Sequence, residues 1–158
     1  MIFETREEVD VPRDFAFDRF ADFTRYEQAA RGYGADIRRV NGFTEVAEGV
    51  SWRGSVVVRG KTRGVEATVT DLTRPEHAQI VTTVGGMRVD VDLVFEEIGP
   101  QKTQVFAKAQ LVATTLASRL ILQTVKLARK KIQTKVDSRI VALANQFEHE
   151  YRRHQARG

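Results

Sequence analysis

The chain has no cysteine, which excludes disulfides, thiolate nucleophiles and cysteine-ligated zinc or iron–sulfur centres. It has no uninterrupted apolar run of about 18–20 residues, so no bilayer-spanning helix is expected. Its first ten residues alternate charged and apolar side chains and lack the continuous apolar stretch of a signal peptide, so cytoplasmic residence is the expectation. Neither sign of charge dominates. The 25 Lys and Arg against 21 Asp and Glu leave a formal charge of +4, too mild an excess to indicate nucleic acid. The basic residues are not interleaved with aromatics, and no nucleic-acid recognition motif is present.

Catalytic signatures are equally sparse. The serines Ser51, Ser55, Ser118 and Ser138 occupy no nucleophile elbow, and Gly32-Tyr33-Gly34 lacks the third glycine of a phosphate-binding turn. The three histidines, His77, His149 and His154, are scattered and show no metal-ligand spacing. The acidic pairs Glu7-Glu8, Asp90 with Asp92, and Glu96-Glu97 could supply a general acid and base, but strand alternation puts Asp90 and Asp92 on a solvent face. No catalytic residue, metal or cofactor is assigned.

What is present is an ordinary globular composition, 42% hydrophobic and 29% charged over 158 residues, enough for one domain spanning residues 1–158. Ile2 to Val11 alternates as a first strand. Pro12 then suits a helix start, because its fixed φ and missing donor fit a first turn. Phe15, Ala16, Phe20 and Phe23 recur at helical spacing, and a second short helix around Tyr26–Arg31 stops at Gly32. Beyond it the period becomes two. Turn chemistry at Asn41-Gly42, Arg59-Gly60, Arg74-Pro75, Gly85-Gly86 and Gly99-Pro100 divides a meander, six or seven strands in all. The clearest strand puts Met87, Val89, Val91, Leu93 and Phe95 on one face and Arg88, Asp90 and Asp92 on the other.

Between Leu116 and Tyr151 there is neither Gly nor Pro, which predicts one long C-terminal helix, with residues 152–158 frayed. At 100° per residue, Leu122, Val125, Ile132, Val136, Ile140, Leu143 and Phe147 share a stripe that must bury itself against the sheet. Arg129 falls on that stripe, and a buried cation needs a partner or a route to the edge. Leu116, Leu120 and Leu127 face the opposite way, beside Lys126, Arg129, Lys130, Lys131 and Lys135. Such a surface fits a homodimer contact or an anionic membrane.

The fold class is therefore α+β: a curved antiparallel sheet with two short helices after its first strand, wrapped around a C-terminal helix. That order resembles the START-like superfamily, also called SRPBCC or polyketide cyclase/dehydrase. The resemblance is carried by Val9-Asp10-Val11-Pro12, Asp22-Phe23, the Gly49–Gly60 strand with Trp52, and Thr70-Asp71-Leu72 leading into Arg74-Pro75-Glu76. It implies a helix-grip fold enclosing a cavity for an apolar small molecule or lipid, held by a carrier or sensor. A cyclase or dehydratase enzyme, or an interaction module with a filled cavity, are the alternatives. From strand faces and the helical wheel, the expected lining is Trp52, Val56, Ala67, Val69, Met87, Val89 and Val91, opposite Leu122, Val125, Arg129 and Ile132. Arg129 would anchor a ligand carboxylate or phenolate.

Overall fold

The computed structural model describes residues 1–157. After β1 (Ile2–Val9) come α1 (Arg13–Phe20) and α2 (Phe23–Gly32), then β2 (Asp36–Val40), β3 (Ser51–Val58), β4 (Lys61–Thr73), β5 (His77–Val84), β6 (Met87–Gly99) and β7 (Lys102–Ala113). Two helices follow, α3 (Leu116–Leu127) and α4 (Arg129–Arg157). The seven strands form one antiparallel sheet in the order β1-β7-β6-β5-β4-β3-β2. Only the β1–β7 pairing departs from a simple meander. β1 and β2 are thus the two edges, and α1 and α2 carry the chain from one edge to the other.

Turn residues sit where the backbone demands them. Arg59 and Gly60, and Gly85 and Gly86, all have positive φ, the geometry of two-residue hairpins whose twist matches the flanking strands. Pro12 precedes α1 in an extended conformation, and the Asp22 carboxylate accepts from the Arg25 amide at 3.2 Å to cap α2.

Directly paired residues share a face, so the register aligns Val69, Ile80, Val91, Ala109 and Phe3 in one row across five strands. This inner face meets the helices. The core lies at the α1 end, where Phe20 meets Phe147 of α4 edge-on at 4.8 Å and Phe17 meets Phe95 of β6 at 5.3 Å. α4 buries Ile140, Ala144 and Phe147 there, at the i, i+4, i+7 spacing of one helical face.

The single long helix expected from Leu116 to Tyr151 is two helices. At Ala128 the backbone takes φ −98° and ψ 16°, far from the helical ψ near −42°, and α4 restarts at Arg129. Ile140, Leu143 and Phe147 remain on the packed side as the wheel predicted, with Leu122, Val125, Ile132 and Val136 only half-buried. Arg129, placed on the buried stripe by the uninterrupted wheel, is exposed. The C-terminus is also more regular than expected, since α4 continues through Arg157; Gly158 lies outside the described residues.

Gly54 of β3 faces Ile37 of β2, and a Cβ there would fall 1.8 Å from the Asp36 carbonyl oxygen. Gly54→Ala is therefore expected to push β2 off the sheet and cost about 2–3 kcal/mol, as other overpacked sites do. Urea unfolding together with hydrogen exchange at the β2 amides checks this. Full stability with protected β2 amides would show that the strand adjusts without cost.

Candidate functional site

Inside the grip, between α2 and the inner face of β2–β5, is a cavity of about 190 Å³. α2 contributes Phe23, Tyr26, Glu27 and Ala30, and the sheet contributes Ile37, Trp52, Val65, Ala67, Ile80 and Thr82. The helix residues stand at i, i+3, i+4 and i+7, the spacing that puts side chains on one face of a helix. The sheet residues come from the single inner face, because Trp52 pairs with Ala67, Ala67 with Thr82, and Val65 with Val84.

Tyr26, Glu27 and Thr82 bring polar side chains to this wall, and the two titratable ones are already engaged. Glu27 is 8% exposed. Its carboxylate accepts from Arg39 Nε at 2.7 Å and Nη2 at 3.2 Å, from Arg31 Nη1 at 3.2 Å, and from the Trp52 indole N–H. Hydrogen bonding from Arg39, reinforced by Trp52 and by the charges of Arg39 and Arg31, outweighs burial and holds the carboxyl below its ordinary pKa of 4.5. The group is ionised, and its acceptor capacity is taken up. Tyr26 donates its hydroxyl to the Phe20 carbonyl at 2.9 Å. Burial, with the nearby Asp22 charge, pushes its pKa up to about 12.

Of the residues expected from sequence to line a pocket, Trp52 and Ala67 reach this cavity. Val69 is wholly buried beside it in the core, and Met87 is buried at the β5–β6 hairpin end. Val56, Val89 and Val91 lie half-buried along the inner face, and Leu122, Val125 and Ile132 are half-buried on the helices; none of them borders the cavity. Arg129 donates to the Ile2 carbonyl at 3.0 Å and lies over the Phe3 ring at 5.3 Å. It satisfies itself at the β1 edge and points into no pocket. The residues that sequence reasoning missed are those of α2, whose 23, 26, 27, 30 spacing was a legible signal, and Ile37, Val65, Ile80 and Thr82.

A second polar cluster sits on the outer face. His77, which opens β5, lies between two carboxylates, Nδ1 against Asp71 and Nε2 at 3.1 Å from Asp92, and Gln79 also donates to Asp92 at 2.8 Å. Partial burial opposes charge on the ring, but the hydrogen bonds that it donates to Asp71 and Asp92 prevail and raise its pKa above 6.5. This knits β4, β5 and β6 together on the face away from the cavity. No group of three or more His, Asp or Glu among the described residues is arranged to hold a metal ion.

No family model matches the chain, and no curated protein matches it in sequence. Solved structures do. Norcoclaurine synthase from Thalictrum flavum superposes with a TM-score of 0.63 at 9% identity, covering 96% of this chain and 86% of that one. The Zhui aromatase/cyclase from Streptomyces sp. R1128 gives 0.60 at 15% identity over 96% and 95%. An HSP90 activator from Plasmodium falciparum gives 0.53 at 17% identity over 83% and 89%. The chain shares the helix-grip fold of these proteins. Proteins this different in their work share the fold, so the fold does not choose among them. No described helix is long and apolar enough to cross a membrane.

Proposed function

We propose that this helix-grip domain holds a small, neutral, apolar molecule in the cavity between α2 and the sheet, as a carrier or sensor. The observation that carries the reading is a partly open apolar hollow walled by Phe23, Ile37, Trp52, Val65, Ala67 and Ile80, whose one buried charge, Glu27, is already neutralised by Arg39 and Arg31. A charged ligand would find no free counter-ion there. An apolar cavity of roughly 150 Å³ accommodates a benzene-sized molecule, whereas drug-sized ligands occupy about 300–1,000 Å³. The cavity therefore suits one or two rings, or the leading end of a longer chain lying along the half-buried inner face at Val89, Val91, Leu122 and Val125.

The commitment of the two titratable wall groups supports binding over a cyclase-type reaction. A general acid must reach the substrate with a transferable proton, and a general base with a free lone pair and a pKa near the working pH. Tyr26 spends its proton on the Phe20 carbonyl, and Glu27 is held ionised among donors.

Trp52 is the only tryptophan of the chain and stands on the cavity wall, so its emission reports occupancy. A ligand burying roughly 200 Å² of apolar surface gains about 5 kcal/mol, a dissociation constant near 0.1–1 mM on the order of magnitude. Titration with toluene or a medium-chain alcohol is expected to change Trp52 emission saturably in that range. Ala67→Phe fills the cavity and should weaken the response at least ten-fold. An unresponsive Trp52, or equal binding by Ala67→Phe, would sink the proposal.

A further inference from the structure

α3 is apolar on two sides. Its inner side sets Ile121, Leu122 and Val125 half-buried toward the sheet, while Leu116, Leu120 and Leu127 are 75%, 64% and 91% exposed. At 100° per residue those three leucines fall within about 40° of one another, and none of the described residues covers them. The helix start is held firmly: Thr115 accepts from the Ser118 amide at 3.1 Å, and Ser118 Oγ accepts from the Thr115 amide at 2.9 Å. The leucines are therefore presented by an ordered helix.

Charge on this surface is one-sided. From Leu116 to Val136 there is no acidic residue, while Arg119, Lys126, Arg129, Lys130, Lys131 and Lys135 all fall there. None of the six pairs with a carboxylate among the described residues, although arginines elsewhere do, among them Arg19, Arg39, Arg74 and Arg88. The stretch carries +6 while the whole chain nets +4, so the remainder of the molecule is net acidic. The positive charge is concentrated beside the exposed leucines.

A second copy docking on this face through two-fold symmetry would set this cationic stretch against its own copy, and like charges placed together are penalised. The partner must combine negative charge with an apolar medium for the leucines. We infer that α3 and the first turns of α4 dock this protein on an anionic lipid bilayer, with Leu116, Leu120 and Leu127 entering the acyl boundary and the lysines engaging headgroups. None of these residues borders the cavity, so the inference and the ligand proposal stand or fall separately.

Flotation with phosphatidylcholine vesicles, with and without phosphatidylserine, tests it on the full chain. Binding is expected only with phosphatidylserine and should be reversed by high salt. Leu120→Gln with Leu127→Gln should weaken it at least ten-fold. Lys130→Glu with Lys131→Glu should weaken it about five-fold or more for each cation. A charge-matched pair, Arg152→Glu with Arg153→Glu, lies roughly 33 Å farther along α4 and should stay within about two-fold of wild type. All these positions are exposed, and circular dichroism verifies folding. Three results would overturn the inference: no binding to anionic vesicles at low salt, equal losses from the two charge-reversal pairs, or a leucine-dependent dimer in sedimentation.

Discussion

Glu27→Gln is expected to destabilise the protein by about 3 kcal/mol at neutral pH. The substitution keeps the shape of the side chain and removes the charge that Arg39 and Arg31 were placed to meet. Breaking a buried ion pair from one side typically costs about 3–5 kcal/mol, because the surviving charge is stranded. The lower end applies here, since the Arg39 side chain is 18% exposed and that of Arg31 is 45% exposed. Arg39 also keeps the Thr44 carbonyl at 2.8 Å. For a chain of this length the loss lowers the Tm by roughly 6–12 °C.

The effect has a defined pH dependence. A carboxyl whose folded pKa is depressed stabilises the fold above its unfolded pKa, and that stability is lost as pH falls through the folded value. Wild type and Glu27→Gln should therefore differ most above about pH 4.5 and converge in stronger acid. Urea unfolding at pH 7 and near pH 3 checks both points. A variant within 1 kcal/mol of wild type at pH 7 would show that the network is ornamental. The double change Glu27→Leu with Arg39→Met should recover part of the loss, because it leaves no stranded charge.

Phe147→Ala is expected to be at least as damaging, at about 3–5 kcal/mol. Phe147 is fully buried, packs edge-on against Phe20 and lies beneath the Arg25 guanidinium at 5.7 Å. Truncation removes the transfer energy of the ring and leaves a hole among α1, α4 and the sheet, and Tm should drop by about 10 °C or more. Phe147→Leu, which refills much of the volume, should cost less than half as much. Leu127→Ala, on the same run of helices but 91% exposed, should change stability by no more than about 0.5 kcal/mol. Thermal unfolding of the three variants separates the core-anchored half of the helical segment from its outward-facing half. Equal shifts for Phe147→Ala and Leu127→Ala would contradict that division.

The elements themselves were legible because their signals are local. Strand alternation in β6 put Met87, Val89 and Val91 on one face by the geometry of the pleat, and their cross-strand partners Val84, Thr82 and Ile80 follow from a two-residue Gly85-Gly86 turn. The Ile140, Leu143 and Phe147 stripe survived because α4 is regular across it. Arg129 was misplaced for a specific reason. A helical wheel gives the direction in which a side chain leaves the helix but not where a long one ends, and Arg129 lies over the Phe3 ring and carries its head to the Ile2 carbonyl at the β1 edge.

The cavity lay still further from a sequence reading. Its wall joins α2 to strands 10 to 55 residues away, and its electrostatic lock is Glu27 meeting Arg39 and Trp52, 12 and 25 residues on. Periodicity gives each element a face but not the partner that face will meet. The sequence alone thus determined the strands and the two short helices, where the hairpins turn and which face of each strand is apolar, since those follow from local sterics and the removal of apolar surface from water. The tertiary structure alone decided that the hollow opens beneath α2, that Glu27 meets Arg39 and Arg31, and that the C-terminal helical segment breaks at Ala128. Those outcomes depend on how distant faces pack and how much volume their side chains leave unfilled.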